Sequence, residues 1–311
     1  MVLRQTLLAA SGSDRLRTLV AGTRLTRGVV DRFVAGERAE DAVRAAGELA
    51  EYDLLSSIDH LGEDADHPAR TQDAVKGYVR LLRLLDDTGL TSWAEVSVKP
   101  TAVGLGLGPE GEALAVDNLS RICDTAAEVG TTVTVDMEAA RHVPATLRVV
   151  ARLRARHPWV GCVLQSYLRR TEGDTAAMAA EPGARVRLCK GAYAPERGSA
   201  YTGRREVDAA FVRSLRRLMT GSAYPMVATH DSRLIDIATT LARRYGRTYD
   251  DFEYQMLYGA RPTEQRRLAS LGARVRVYVP YGTDWYGYLV RRVAERPANA
   301  AFAARQVLTR Y

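Results

Sequence analysis

The sequence predicts an α/β protein of the closed (βα)8-barrel class, preceded by a helical N-terminal arm. Two observations carry that expectation. Eight short apolar runs are spread from residue 54 onward with amphipathic helical patterns between them. No linker, low-complexity segment or short repeat divides the 311 residues. Strict alternation of strand and helix implies right-handed crossovers and a parallel sheet. Eight such units favour closure into a barrel over an open sheet. The expected division is an arm over 1–50 and one catalytic barrel domain over 51–311.

The arm reads as helix because "DRLRTLVAG" and "EDAVRAAGELA" space their apolar residues by three and four, with no β-rich run. The strands then follow in order: "LLSSIDHLG" (54–62), "AEVSVKP" (94–100), "TVTVDME" (132–138), "GCVLQSY" (161–167), "VRLCKGAY" (186–193), "YPMVATH" (224–230), "FEYQMLYG" (252–259) and "RVRVYVPYG" (274–282). Between them lie amphipathic stretches such as "AVKGYVRLLRLLDD", "LAVDNLSRICDTAAEVG" and "EVDAAFVRSLRRLMT".

Composition narrows the function classes. A hydrophobic fraction of 46% and a charged fraction of 26% are those of a water-soluble globular chain. Three cysteines, Cys123, Cys162 and Cys189, lie far apart without C-x-x-C spacing. They give neither a disulfide framework nor a zinc site, and they fit a reducing, cytoplasmic setting. The N-terminus has too short an apolar run for a secretory signal, and no segment has the uninterrupted apolar length of a membrane span. The net charge of +7 suits an anionic cofactor or a membrane surface. Its basic residues alternate with acids along helices, as in "RAEDAVRAAGELAEYD", which argues against a nucleic-acid surface.

In a barrel of this class chemistry sits at the C-terminal ends of the strands. Those ends offer Glu63, Lys99, Asp136 with Glu138, Gln165 with Tyr167, Lys190 with Tyr193, Thr229 with His230, Gln255 and Tyr278. Interiors of Val, Leu and Ile that finish in such groups suggest a polar ring around a pocket. "GLGPEG" matches the dinucleotide fingerprint G-x-G-x-x-G, but some seven residues separate Lys99 from its first glycine, and Pro109 lies inside it. A Rossmann turn follows its strand at once, so a barrel loop is the better reading. Lys99 can serve as a cation for an anionic substrate or, with a lowered pKa, as a Schiff-base amine. Asp136 must be paired or solvated, and could orient an arginine or a tyrosine. His230 has no second histidine or cysteine at ligand spacing, so no metal site is expected.

The last helical pattern carries Arg291 and Arg292. Arg-Arg also occurs at 169–170, 204–205, 216–217, 243–244 and 266–267, so the pair alone says little. This copy follows the eighth strand directly and can lie above the barrel mouth. Two planar guanidiniums there could grip one carboxylate through bidentate bonds. An alternative partner for Arg291 is Glu295, at i, i+4.

The blocks "SVKP", "VDME", "VLQSYLRRT", "VRLCKGAY", "VATHD", "FEYQMLYG" and "VYVPYGTDWYGYLVRRVAERPAN" stand in the order and spacing of proline dehydrogenase, which the chain resembles from about residue 50 onward. It is similar to the short bacterial monofunctional form. The resemblance implies a distorted (βα)8 TIM barrel holding non-covalent FAD, with the last barrel helix over the pocket. It implies oxidation of L-proline to Δ1-pyrroline-5-carboxylate by hydride transfer to FAD N5, and reoxidation by a membrane quinone, with peripheral contact at the membrane permitted. It places Lys99, Arg291 and Arg292 on the proline carboxylate. Asp136 buttresses that side, Tyr193, Tyr278, Tyr288 and Leu257 pack around the ring, and Glu63 forms an ion-pair gate with Arg291. For FAD it implies Met137, Gln165, Arg187, Lys190, Gly191, Ala192, Thr229, His230 and Gln255. A tyrosine at 278 implies preference for proline over hydroxyproline. Two positions depart from the pattern: Ala194 stands where bifunctional members carry tryptophan, and Asp231 where asparagine often follows "TH". The competing reading from the residues is a Schiff-base aldolase using Lys99 or Lys190.

Overall fold

The computed structural model describes residues 30–194 and 198–295. Most of the predicted arm, residues 1–29, lies outside the described residues, as does 296–311. Of the arm, helix α1 (Ala39–Ala50) is described; it buries Ala42, Val43, Ala45 and Ala46 and leads straight into the first strand.

Eight strands close a fully parallel barrel in sequence order. They are β1 (Leu55–His60), β2 (Ala94–Val98), β3 (Val133–Val135), β4 (Gly161–Gln165), β5 (Arg185–Cys189), β6 (Tyr224–Ala228), β7 (Glu253–Leu257) and β8 (Val275–Tyr281). Closure is the β1–β8 pairing, which runs from Leu55 opposite Arg276 to His60 opposite Tyr281. The intervening helices are α2 (Pro68–Asp87), α3 (Gly111–Glu128), α4 (Val143–Arg154), α5 (Thr171–Ala180), α6 (Arg204–Thr220), α7 (Ser232–Arg244) and α8 (Pro262–Ser270). Helix α9 (Trp285–Glu295) follows β8. Among the described residues no helix is long and apolar enough to cross a membrane.

Each predicted strand is present, but most end earlier than expected. The run over 94–100 stops at Val98, because Pro100 has no N–H for the ladder and opens a 3-10 turn over Pro100–Val103. The run over 132–138 shrinks to three residues, and that over 186–193 becomes Arg185–Cys189. The trimmed residues form the loops of the barrel mouth. "GLGPEG" is also loop, separated from β2 by that 3-10 turn.

Period-two alternation sends Val96, Val98, Val133, Val135, Leu164, Val186 and Leu188 outward, where they are fully or almost fully buried against the helices. Each such side chain contributes roughly 1.5–3 kcal/mol by leaving water. The barrel interior corrects the expectation of an apolar strand filling that turns polar only at the ends. Glu95 and Glu253 lie inside with Arg185, Arg187 and Arg276: Arg185 meets Glu95 at 2.6 Å and Arg276 meets Glu253 at 2.8 Å. Ser57, Thr132 and Thr134 also donate to Glu95. Most barrels of this class fill that space with branched apolar residues. Here charged pairs fix the interior, and the strand-end groups are its upper layer.

Candidate active site

At the mouth, β2, β3, β5, β7 and β8 bring five predicted residues into one hydrogen-bonded chain. Arg187 donates to Asp136 at 2.7 Å, to Ser97 at 2.9 Å, to Ser57 at 3.0 Å and to Gln255 at 2.5 Å. Tyr278 donates its hydroxyl to Asp136 at 2.7 Å, and the Arg187 guanidinium lies 5.3 Å from the centre of its ring. Lys99 reaches the Tyr278 hydroxyl at 3.5 Å. Burial, with Asp136 and Asp59 close by, pushes the Tyr278 phenol well above its ordinary value, so it stays a donor.

The principal partner of Lys99 is a residue that sequence reasoning passed over. Asp59, fully buried on β1, accepts from Lys99 Nζ at 2.5 Å and from the Tyr78 hydroxyl at 3.4 Å. Asp59 sits two residues after Ser57, so alternation along "SSIDH" was the signal that could have placed it on the inner face. Burial opposes the charge on Lys99, but Asp59, Asp136 and Glu63 outweigh it and hold its pKa above the usual value. A lysine fixed as a cation is a poor Schiff-base amine. Lys190 lies 2.6 Å from Asp208 and 3.3 Å from Asp231, so it too is ion-paired. The aldolase reading loses both of its lysines.

Helix α9 roofs this chain. Its Tyr288 and Leu289 pack with Phe33, Val34 and Leu61, which sets the helix over the mouth. Gly282, at φ 122°, supplies the left-handed turn between β8 and α9. Arg291 is buried and pairs with Glu63, across the mouth; the Glu295 side chain lies outside the described residues. Glu63 also accepts from the Tyr193 hydroxyl at 3.0 Å, and the Arg291 guanidinium stands 5.1 Å from the centre of the Tyr193 ring. Burial works against ionising Glu63, but Arg291 and Lys99 hold its carboxyl below the usual range. The Arg292 guanidinium lies 5.2 Å from the centre of the Tyr288 ring.

Glu138 lies beneath the gate, buried, its carboxylate taking the N–H of Thr101 at 3.0 Å and its hydroxyl at 2.5 Å. Burial pushes the Glu138 carboxyl up to about 7. Its backbone carbonyl accepts from Gln165 at 2.8 Å.

The remaining predicted residues occupy the β4–β7 side. His230 Nε2 accepts the backbone N–H of Leu257 at 2.9 Å, so its other ring nitrogen carries the proton in the neutral form. Thr229 is buried and accepts from the backbone of Asp231, which caps α7 by accepting from Arg233 N–H. Met137 packs with Val163, Tyr167 and Leu168. Gly191 has φ 103°, and a Cβ there would sit 2.1 Å from the Tyr167 ring, so only glycine fits. The run Lys190–Tyr193 is half-buried at the rim.

Gln165, Arg187 and Gln255 are buried on this side and hydrogen-bonded within the protein, Gln165 to the Glu138 carbonyl, Arg187 to Gln255 and Gln255 to Glu253. Lys190, Arg204 and Arg233 gather around Asp208 and Asp231, three cations against two carboxylates.

Residues 42–305 match the protein family described as proline dehydrogenase. The chain is 39% identical over 284 residues to the proline dehydrogenase of Deinococcus radiodurans, covering 90% of each. It is 37% identical over 287 residues to proline dehydrogenase 1 of Bacillus subtilis strain 168, covering 92% of each. Among solved structures, proline utilization A (PutA) from Bdellovibrio bacteriovorus, inactivated by N-propargylglycine, superposes with a TM-score of 0.81 at 26% identity. That match covers 88% of this chain and 33% of the PutA chain, so the chain spans about a third of that larger protein.

Proposed function

We propose that this chain, which belongs to the proline dehydrogenase family and is an enzyme that oxidises proline, converts L-proline to Δ1-pyrroline-5-carboxylate with non-covalently held FAD and passes the electrons to a membrane quinone. The observation that carries the reading is the roofed mouth: Arg291 on α9 pairs with Glu63, which also accepts from Tyr193, above the chain formed by Lys99, Tyr278 and Asp136.

FAD would lie on the β4–β7 side, held by Gln165, Arg187, Lys190, Gly191, Ala192, Thr229, His230 and Gln255 with Met137 beneath. Bound there, it supplies the hydride acceptor. The protein's own residues do the rest. Arg291, Arg292 and Lys99 take the proline carboxylate, the arginines through planar forks. Tyr193, Tyr278, Tyr288 and Leu257 enclose the ring and exclude water. An amine releases hydride only with its lone pair free, and cations around the site favour loss of the ammonium proton. Asp136 holds Tyr278 and Arg187 in place through its two oxygens. The Glu63–Arg291 pair closes the mouth once substrate is inside. The charge of +7 supports peripheral contact with an anionic membrane.

Tyr278 sets the specificity of this pocket. Its hydroxyl is held by Asp136 and Lys99 and its ring lies beside Arg187, so the ring cannot swing away from a bulkier substrate. Tyr278→Ser is expected to raise kcat/KM for hydroxyproline relative to proline, and an unchanged ratio removes Tyr278 from the specificity account. The acceptor is tested separately. With FAD loaded and proline supplied, a soluble quinone should be reduced in step with product formed; product without quinone consumption overturns that assignment.

A further inference from the structure

The gate carboxylate Glu63 sits in the loop after β1, on a backbone that does not hold itself. Asp64 adopts φ 52°, a left-handed conformation that aspartate tolerates better than most residues with a Cβ but that still costs strain. What fixes it is Thr101, in the turn after β2. Asp64 N–H donates to the Thr101 hydroxyl at 2.9 Å, and Ala65 N–H donates to the Thr101 carbonyl at 3.2 Å. Thr101 is fully buried and clamped in turn: its N–H and its hydroxyl both donate to Glu138. The hydroxyl is thus a branch point, accepting from the gate loop and donating to a buried carboxyl. Of the twenty side chains only serine and threonine combine that donor–acceptor pair with this size.

We propose that Thr101 is the positioning residue of the gate: its hydroxyl, anchored on Glu138, holds residues 62–66 so that Glu63 meets Arg291 and Tyr193, and substrate retention depends on it. Thr101 need not touch substrate for this; it acts through Glu63. The inference rests on the reading that the Glu63–Arg291 pair closes a substrate site. Asp64 is exposed, so its freed amide would be solvated and the loss would appear in loop position more than in global stability.

The test uses the FAD-loaded full chain and two readouts. Binding of tetrahydrofuran-2-carboxylate, a five-membered ring acid lacking the oxidisable nitrogen, is followed by the flavin spectrum; amide hydrogen exchange is followed over residues 61–66. Thr101→Val, nearly isosteric, should weaken binding roughly two- to tenfold, the range of one lost hydrogen bond, and speed exchange in the loop. Thr101→Ser should restore both. The double variant Glu63→Gln/Thr101→Val should bind no more weakly than Glu63→Gln alone, because both act on one device. Multiplicative losses, or unaltered exchange in Thr101→Val beside weakened binding in Glu63→Gln, overturn the proposal. If Glu63→Gln alone leaves binding unchanged, the gate reading fails and the proposal with it. Should Thr101→Val not fold, Thr101→Ala makes the same comparison.

Discussion

Lys99→Met is expected to cost about 3–5 kcal/mol of stability, the usual penalty for removing one member of a buried ion pair. The loss comes from what remains. Asp59 is fully buried, Lys99 Nζ lies 2.5 Å from it, and its other hydrogen bond, from Tyr78, is long at 3.4 Å. Without the ammonium, a carboxylate stands in the barrel interior with no counter-charge and must either stay ionised at high cost or take up a proton. Urea unfolding of the single variant measures that cost. Adding Asp59→Asn to Lys99→Met should recover most of the stability, since the neutral amide removes the stranded charge while keeping the acceptor for Tyr78. If Lys99→Met unfolds within about 1 kcal/mol of the parent, an amount typical of exposed pairs, the pair is not the buried element described here. Lys99 would then be retained for substrate alone.

Arg292→Lys is expected to raise the KM for L-proline roughly 10- to 100-fold with a smaller change in kcat and FAD still bound. A charge-assisted hydrogen bond contributes roughly 1.5–3 kcal/mol, and lysine keeps the charge but not the planar two-pronged donor. The choice of Arg292 over Arg291 follows from their surroundings. Arg291 already faces Glu63, so its replacement disturbs gate and substrate together. Arg292 packs its guanidinium over Tyr288, one of the residues placed around the substrate ring, and probes the carboxylate grip from that side. Steady-state kinetics with an artificial acceptor decides it: an unchanged KM removes Arg292 from carboxylate binding.

The barrel was legible because outward-facing valines and leucines, helix amphipathicity and strict alternation all report the same architecture. Strand ends were less so. Pro100 marked one stop, whereas Asp136 to Glu138 continue an apolar run and still leave the sheet, since pairing with β2 and β4 ends there. The candidate site was legible where a polar residue closes an apolar strand, as at Lys99, Asp136 and Gln165. It was not legible one layer down. Asp59, Glu95 and Glu253 sit inside strands, where a carboxylate looks like an interruption until closure shows that Lys99, Arg185 and Arg276 face it from other strands. Those pairings span tens of residues, up to 90 between Glu95 and Arg185, and no local pattern encodes them. The contacts that roof the mouth were hidden for the same reason: a helix face predicts that Arg292 meets Tyr288 one turn back, but not what lies beneath Arg291.

The most direct test is an absorbance spectrum of the FAD-loaded protein, recorded without oxygen before and after addition of L-proline. The flavin spectrum is expected to bleach on adding L-proline and to regain its colour when a quinone is supplied. A bound flavin whose spectrum L-proline leaves unchanged would contradict that expectation.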